Sequence, residues 1–287
     1  MSTAFPSSPL VDPGVGRGLA DVFRRRFLLA LLVRKELRVR YRGSVLGLFW
    51  SYVKPAVQFV VYYFALGVFL QLNRGIDDFA VYLFSGIVVV NFFTEAFGNA
   101  TRSVVANAPL VKKIYLPREM FPVSSLIVAG IHFLPQMAVL LVAAFAVGWR
   151  PTFAELGFGL LGFTIVSVLS LGLGLLFGAV NVFYRDFENI VDLLLLVATW
   201  ASPVLYPWTA VRDAFGDGLL LDIYLCNPLT VAVNLFHRAF WYPATDGSAE
   251  LPPLLGPLLV GGLITLLLLV LGQVVFARAE RKFAQEL

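Results

Sequence analysis

The chain has 287 residues, 59% of them hydrophobic and only 14% charged, with a mean hydropathy of +0.82 and a formal net charge of +4. So little polar surface cannot cover a soluble chain of this size, so lipid must solvate much of it. The excess of positive charge then describes a membrane face and not a nucleic-acid groove.

In chain order, residues 1–17 are rich in Pro, Gly and Ser and are expected to form a disordered N-terminal tail. Residues 18–50 read as a cytoplasmic interfacial amphipathic segment. A short apolar run from Phe27 to Val33 lies between Arg24–Arg26 and RKELRVRYR, too short and too basic for a cleaved signal peptide and suited to a helix along the headgroups. Arg34, Lys35, Arg38, Arg40 and Arg42 fall within nine residues, and Trp50, Tyr52 and Lys54 mark the water-lipid boundary. This arrangement predicts a cytoplasmic N-terminus.

Residues 51–281 are predicted to form six transmembrane helices, followed by a cytoplasmic tail at 282–287. No Asp, Glu, Lys or Arg occurs between residues 54 and 74, 119 and 150, 155 and 185, 192 and 212, or 250 and 278. Each stretch can supply the roughly 20 residues that cross ~30 Å of hydrocarbon. A sixth span, about 79–101, is interrupted only by Glu95. With both termini inside, cytoplasmic segments carry 17 Lys or Arg against four outside, and Lys54 sits at the boundary. The fold class is therefore an all-α membrane protein, N-in and C-in.

Within the spans, Asn91, Glu95 and Asn99 recur at every fourth position and share one helix face, with Arg102 one turn beyond. Glu95 either looks into protein, a passage or a partner such as Arg102, or is hydrated near the cytoplasmic boundary. His132 and Gln136 also share a face, as for an interhelix hydrogen bond. Phe59, Tyr62, Tyr63, Phe64, Phe92, Phe93 and Phe97 crowd the first two spans. As a set they favour a large amphiphilic substrate over a small ion.

Catalytic and cofactor motifs are missing from the sequence. There is no Gly-Lys pair and hence no P-loop, and the two histidines have no Cys or carboxylate at ligand spacing. Gly172, Gly174 and Gly178 lie inside an apolar helix and not at a strand-to-helix turn, and Gly174 and Gly178 make a small-xxx-small packing pair. The single cysteine, Cys226, excludes an intrachain disulfide and leaves the redox compartment open. Between spans two and three, Asn107 is placed to cap a short helix with Pro109 in its first turn. Leu110, Val111 and Ile114 give that helix an apolar side beside Lys112 and Lys113.

The segments YRGSVLGLFWSYVKP (41–55), NAPLVKKIYLPREMFP (107–122), YRDFENIVD (184–192), SPVLYP (202–207) and NPL (227–229) stand in an order that resembles one family. It is the permease subunit of ABC-2 type polysaccharide exporters, which move O-antigen, teichoic acid and related cell-surface glycans. The resemblance covers about residues 34–281; the N-terminal tail and the loop at 241–252 depart from it.

The resemblance implies a homodimer in the bacterial inner membrane, served by two separate nucleotide-binding subunits that bind ATP and Mg, with no cofactor on this chain. Its substrate would be a polysaccharide on a polyprenyl diphosphate carrier. Arg38, Arg40, Tyr41 and Arg42 become candidates for the diphosphate, for which guanidinium groups suit bidentate binding. Phe59, Tyr62, Tyr63, Asn91, Phe92, Glu95 and Asn99 become candidate lining for the glycan passage. Asn107, Lys112, Lys113, Tyr115, Arg118 and Glu119 fall to a cytoplasmic coupling helix that docks on the ATPase, and residues 208–253 to short re-entrant helices at the outer exit. Export of a lipid or drug by the same architecture stays open, as does a membrane enzyme acting on polyprenyl-linked sugars.

Overall fold

A computed structural model of the chain describes residues 18–114, 116–245 and 249–287, so the predicted tail at 1–17 lies outside the described residues. No strand occurs among them. Two short helices, α1 (Leu19–Arg24) and α2 (Arg26–Arg40), precede α3 (Trp50–Tyr62), which runs on through a π-helical turn to Phe69. Then come α4 (Phe79–Ala106), α5 (Ala108–Lys113), α6 (Met120–Ala146) and α7 (Phe153–Phe183). The remainder is α8 (Phe187–Trp200), α9 (Trp208–Phe215), α10 (Leu219–Cys226), α11 (Pro228–Phe236) and α12 (Leu255–Glu286).

Five of these elements are long and apolar enough to cross a bilayer: Trp50–Phe69, α4, α6, α7 and α12. Of their apolar windows, 78% of α4 is buried against 11% of α3 and 17% of α12, so α4 is the axis on which the others pack. Phe92, Phe97 and Leu83 fill its surroundings. Small residues set the helix spacing. A Cβ at Gly174 would fall 2.5 Å from the Ala100 Cβ on α4, and one at Gly172 would fall 2.7 Å from the Leu269 backbone nitrogen on α12. Close backbone approach supplies the dispersion contact that holds helices together in lipid, where no hydrophobic effect separates them from the solvent.

These contacts also give direction. Gly172 lies against Leu269 and Phe183 against Phe283, so α7 and α12 run parallel. The chain between them must therefore return the length of the bundle. It does so at 187–206, alongside α4. Arg102 on α4 pairs with Asp192, and at the far end the Tyr82 hydroxyl donates to the carbonyls of Pro203 and Tyr206 at 2.7 and 2.8 Å. Those two α4 positions are twenty residues apart, about 30 Å at the helical rise. This shifts the fifth stretch expected at 192–212. Helix α8 starts earlier because the charge of Asp192 is paired with Arg102, and it stops at Trp200 ahead of Pro203 and Pro207.

The following pair, α10 and Pro228–Thr245, is bent by 70°. It enters and leaves from one end: Cys226 and Val231 reach the seventh residue of α12, Gly261, whereas Trp241 returns to Asp77 and Ala239 to Trp149. Three indoles tie this end together, Trp149 to the Ala239 carbonyl (2.8 Å), Trp241 to Asp77 (2.7 Å) and Trp208 to Glu250 (3.0 Å). At the opposite end Val22, Leu29 and Leu32 of α1 and α2 join Val104, Val111, Phe121, Phe276 and Phe283 in a second apolar cluster. Helix α2 is thus docked on the bundle by one face while Phe27 and Leu31 stay exposed on another.

Candidate functional site

Where the end of α2 reaches α4, a cavity of ≈ 700 Å³ opens. Five elements build it. The end of α2 and the loop after it bring Arg40, Tyr41 and Ser44. The first turns of α3 bring Trp50, Ser51, Lys54, Pro55 and Gln58. Helix α4 brings Asn91, Thr94, Glu95, Gly98, Asn99 and Arg102, while α6 contributes His132 and Gln136 and α8 contributes Asp192 and Leu195. The every-fourth spacing of Asn91, Glu95 and Asn99 aims all three into this space, as the helical period requires.

A directed chain of hydrogen bonds crosses the cavity wall. Glu95 Oε1 receives Arg40 Nη1 at 2.5 Å and His132 Nδ1 at 2.5 Å. With Nδ1 donating, His132 Nε2 accepts the Tyr41 hydroxyl at 2.8 Å, and that hydroxyl lies 3.1 Å from Ser51 Oγ. Asn91 Nδ2 donates to Gln136 Oε1 at 3.3 Å. Glu95 is therefore neither a partner of Arg102 nor simply hydrated at a boundary. Arg102 is held instead by Asp192 at 2.5 Å and by Glu188 at 3.6 Å. Three cations and two carboxylates line the cavity, and Lys54 alone of the cations has no ion pair or hydrogen bond among the described residues. Such a lining presents cationic and hydrogen-bonding groups suited to anions and hydroxyls. No group of three metal-ligating side chains occurs among the described residues.

The profile of the ABC-2 type transporter family matches residues 28–241. This chain belongs to that family. It is 28% identical over 271 residues to the O-antigen export system permease protein RfbA of Myxococcus xanthus, covering 94% of this chain and 99% of that one. A Klebsiella pneumoniae protein of the same name is 30% identical over 189 residues, 66% of this chain and 72% of the relative. The polysialic acid transport protein KpsM of Escherichia coli is 24% identical over 215 residues, 72% and 79% of the two chains. With its five long apolar helices, the chain is a multi-pass membrane permease of the ABC-2 family.

In this ABC-2 permease the residues picked from sequence divide. Arg40, Tyr41, Asn91, Glu95 and Asn99 meet in the cavity. Arg38 and Arg42 are exposed and lie outside it. Phe92 is 2% exposed and packs on Phe133 and Phe163, so it belongs to the core and lines no passage. Phe59, Tyr62 and Tyr63 are half-buried against the main core, Phe59 edge-on to Phe84 and Tyr63 beside Phe79. Lys54, Ser51, Gln58, Thr94 and Asp192 join the cavity without having been picked, while His132 and Gln136 make the expected interhelix hydrogen bonds, to Glu95 and Asn91 on α4, and His132 reaches Tyr41 as well.

The loop between α4 and α6 also sorts its residues. Asn107 does not cap α5 with its side chain; its amide donates to the Ser103 carbonyl at 2.8 Å and its oxygen accepts from Lys35. Glu119 is fully buried and accepts from Gln273 at 3.0 Å, while Arg118 donates to the Glu280 carbonyl at 2.5 Å. Both tie α6 to α12 and neither carboxylate nor guanidinium is presented outward. Lys112, Lys113 and Ile114 are exposed, and Tyr115 lies outside the described residues. Nearby, Glu36 accepts from Ser124 Oγ at 2.8 Å, and burial pushes its carboxyl above the ordinary value, partly offset by that bond.

Proposed function

We propose that the chain is the permease subunit of an ABC exporter that moves a polyprenyl-diphosphate-linked polysaccharide out across the bacterial inner membrane. It works as a homodimer with two ATP-hydrolysing subunits. Six crossings are formed by α3, α4, α6, α7, the 187–206 segment and α12, with both chain termini in the cytoplasm. The bent pair at 219–245 is a re-entrant hairpin on the outer side. The cation excess at the α2, α5 and α12 C-terminal end supports this orientation. The exposed Phe27 and Leu31 of α2 suit a helix at headgroup depth.

One observation carries the reading. The arginine at the end of the interface helix meets the polar face of the central helix in a cavity of ≈ 700 Å³, within the size range of sites for small ligands. That volume suits the charged head of a lipid-linked glycan and its first sugars. Lys112 and Lys113 form the exposed face offered to the ATPase. The test is Arg40→Lys in the permease reconstituted with its ATPase. Charge and membrane insertion persist, but the planar fork is lost, and ATP hydrolysis stimulated by lipid-linked substrate should fall about tenfold or more. Stimulation equal to that of the parent protein would refute the assignment.

A further inference from the structure

In the resting cavity Arg40 is already engaged. Its guanidinium uses one nitrogen, Nη1, on Glu95, leaving further donors of the fork free. The two sides of this pair are unequally held. The Glu95 side chain is 18% exposed and is gripped from behind by His132, which is 3% exposed and itself fixed by Tyr41, whereas the Arg40 side chain is 42% exposed. The arginine is the partner that can leave. Lys54 stands in the same cavity with no carboxylate, while Arg102 is held by two.

Resting on the reading of this cavity as a head-group site, we propose that Glu95 is a built-in substitute for the ligand's anion, which keeps single-phosphate groups from filling the site and yields to a diphosphate that also reaches Lys54. An incoming phosphate competes with a carboxylate for Arg40. A group with a single phosphate exchanges one anion for another and gains little. A diphosphate reaches Arg40 with one phosphate and Lys54 with the other, and the second contact makes the exchange favourable. His132 keeps the released carboxylate hydrogen-bonded, so Glu95 is not stranded at membrane depth. Without Glu95, an unpaired arginine here would hold the singly charged phospholipids that surround it, since each cation near an anionic bilayer attracts them. Glu95 is thus a positioning residue acting through Arg40: it lowers the affinity for every anion by a similar factor, and Lys54 supplies the preference for a diphosphate.

The test uses the full chain in nanodiscs of neutral phosphatidylcholine, titrated calorimetrically with inorganic diphosphate and, separately, orthophosphate. The parent protein should prefer diphosphate by about tenfold or more, the effect of one added charge-assisted contact. Glu95→Gln should bind both anions tighter by about tenfold or more while keeping the preference between them, and Glu95→Asp should return both affinities toward those of the parent. Adding phosphatidylglycerol to the discs should weaken diphosphate binding to Glu95→Gln about tenfold while changing the parent little. A residue that only shaped the cavity would neither tighten both anions when neutralised nor make diphosphate binding sensitive to phosphatidylglycerol.

Farnesyl diphosphate in a third arm separates sources: tighter binding than inorganic diphosphate indicates a lipid-borne group, equal binding a free one, and either supports the diphosphate site. If Glu95→Gln fails to elute as a folded protein, Lys54→Met carries the test, and it should lose diphosphate affinity while orthophosphate binding stays within about twofold. Affinities unchanged in Glu95→Gln, or a preference unchanged in Lys54→Met, overturn the proposal and leave the cavity reading standing. Binding of neither anion to the parent protein overturns both.

Discussion

Replacing Gly172 by alanine tests the close packing that sets the bundle. A Cβ there would stand 2.7 Å from the Leu269 nitrogen, 2.8 Å from its Cα and 2.9 Å from the Leu268 carbonyl carbon, all backbone atoms. Ordinary contact begins near 3.4 Å, so α7 and α12 must part by roughly 0.5 to 0.7 Å, a gap that forfeits about a quarter of the dispersion attraction along the seam. Overpacking of this kind costs about 1–3 kcal/mol, against which alanine returns up to ~1 kcal/mol of helix propensity. Gly157 on the same helix has open space around it, so Gly157→Ala gains the propensity without the clash. The two variants should therefore differ by about 2 kcal/mol, with Gly172→Ala the weaker. The assay is the fraction of detergent-solubilised protein still monodisperse after heating through a temperature series. Equal retention by both variants would refute the backbone-contact reasoning.

The purified chain should hydrolyse no ATP by itself and support turnover only with its ATPase subunit; intrinsic turnover that survives removal of contaminating ATPases would count against this. Lys112→Glu with Lys113→Glu should insert normally yet lose co-purification with the ATPase or uncouple its turnover, since both side chains are exposed and their helix is held to the bundle by Val111. Unchanged assembly and export would mean that this face is only solvated. At the end tied by the three indoles, Arg212 hydrogen-bonds both oxygens of Glu250 and holds its carboxyl below the ordinary value. A depressed folded pKa stabilises above the unfolded value of 4.5 and is lost as pH falls through the folded one. Melting curves from pH 6 to 3 should therefore show an acid-dependent loss that Glu250→Gln lacks.

Periodicity made the polar face of α4 legible, because positions four apart must share a face whatever packs against them. The same rule speaks against Phe92, which follows Asn91 by one residue and so points about 100° away, into Phe133 and Phe163. A count of aromatics ignores that angle. The partner of Glu95 was not legible. Arg102 is near in sequence, but α8 reaches it first with Asp192, and the nearest free arginine arrives from 55 positions earlier in the chain. Counting charge-free stretches misplaces the start of α8 for the same reason, since Asp192 is ion-paired to Arg102 and lies inside the helix. Glu119 reads as a surface acid in a basic loop, and only the approach of Gln273 from the last helix explains why it is fully buried.

The two attachments of the 187–206 segment to α4 carry a mechanical consequence. One is ionic, Arg102 to Asp192, and the other is a tyrosine hydroxyl shared between two backbone carbonyls. Pinned at both extremities, the pair behaves as one strut, unable to shear without breaking a pin. Ala201, just past α8, also accepts hydrogen bonds from Asn227 and Thr230 at the tip of the bent hairpin. Tilting the strut at its charged foot therefore drags the hairpin tip at its head. Helix α3, the least buried of the long helices and fastened chiefly by aromatic faces, is the soft wall beside that stiff one.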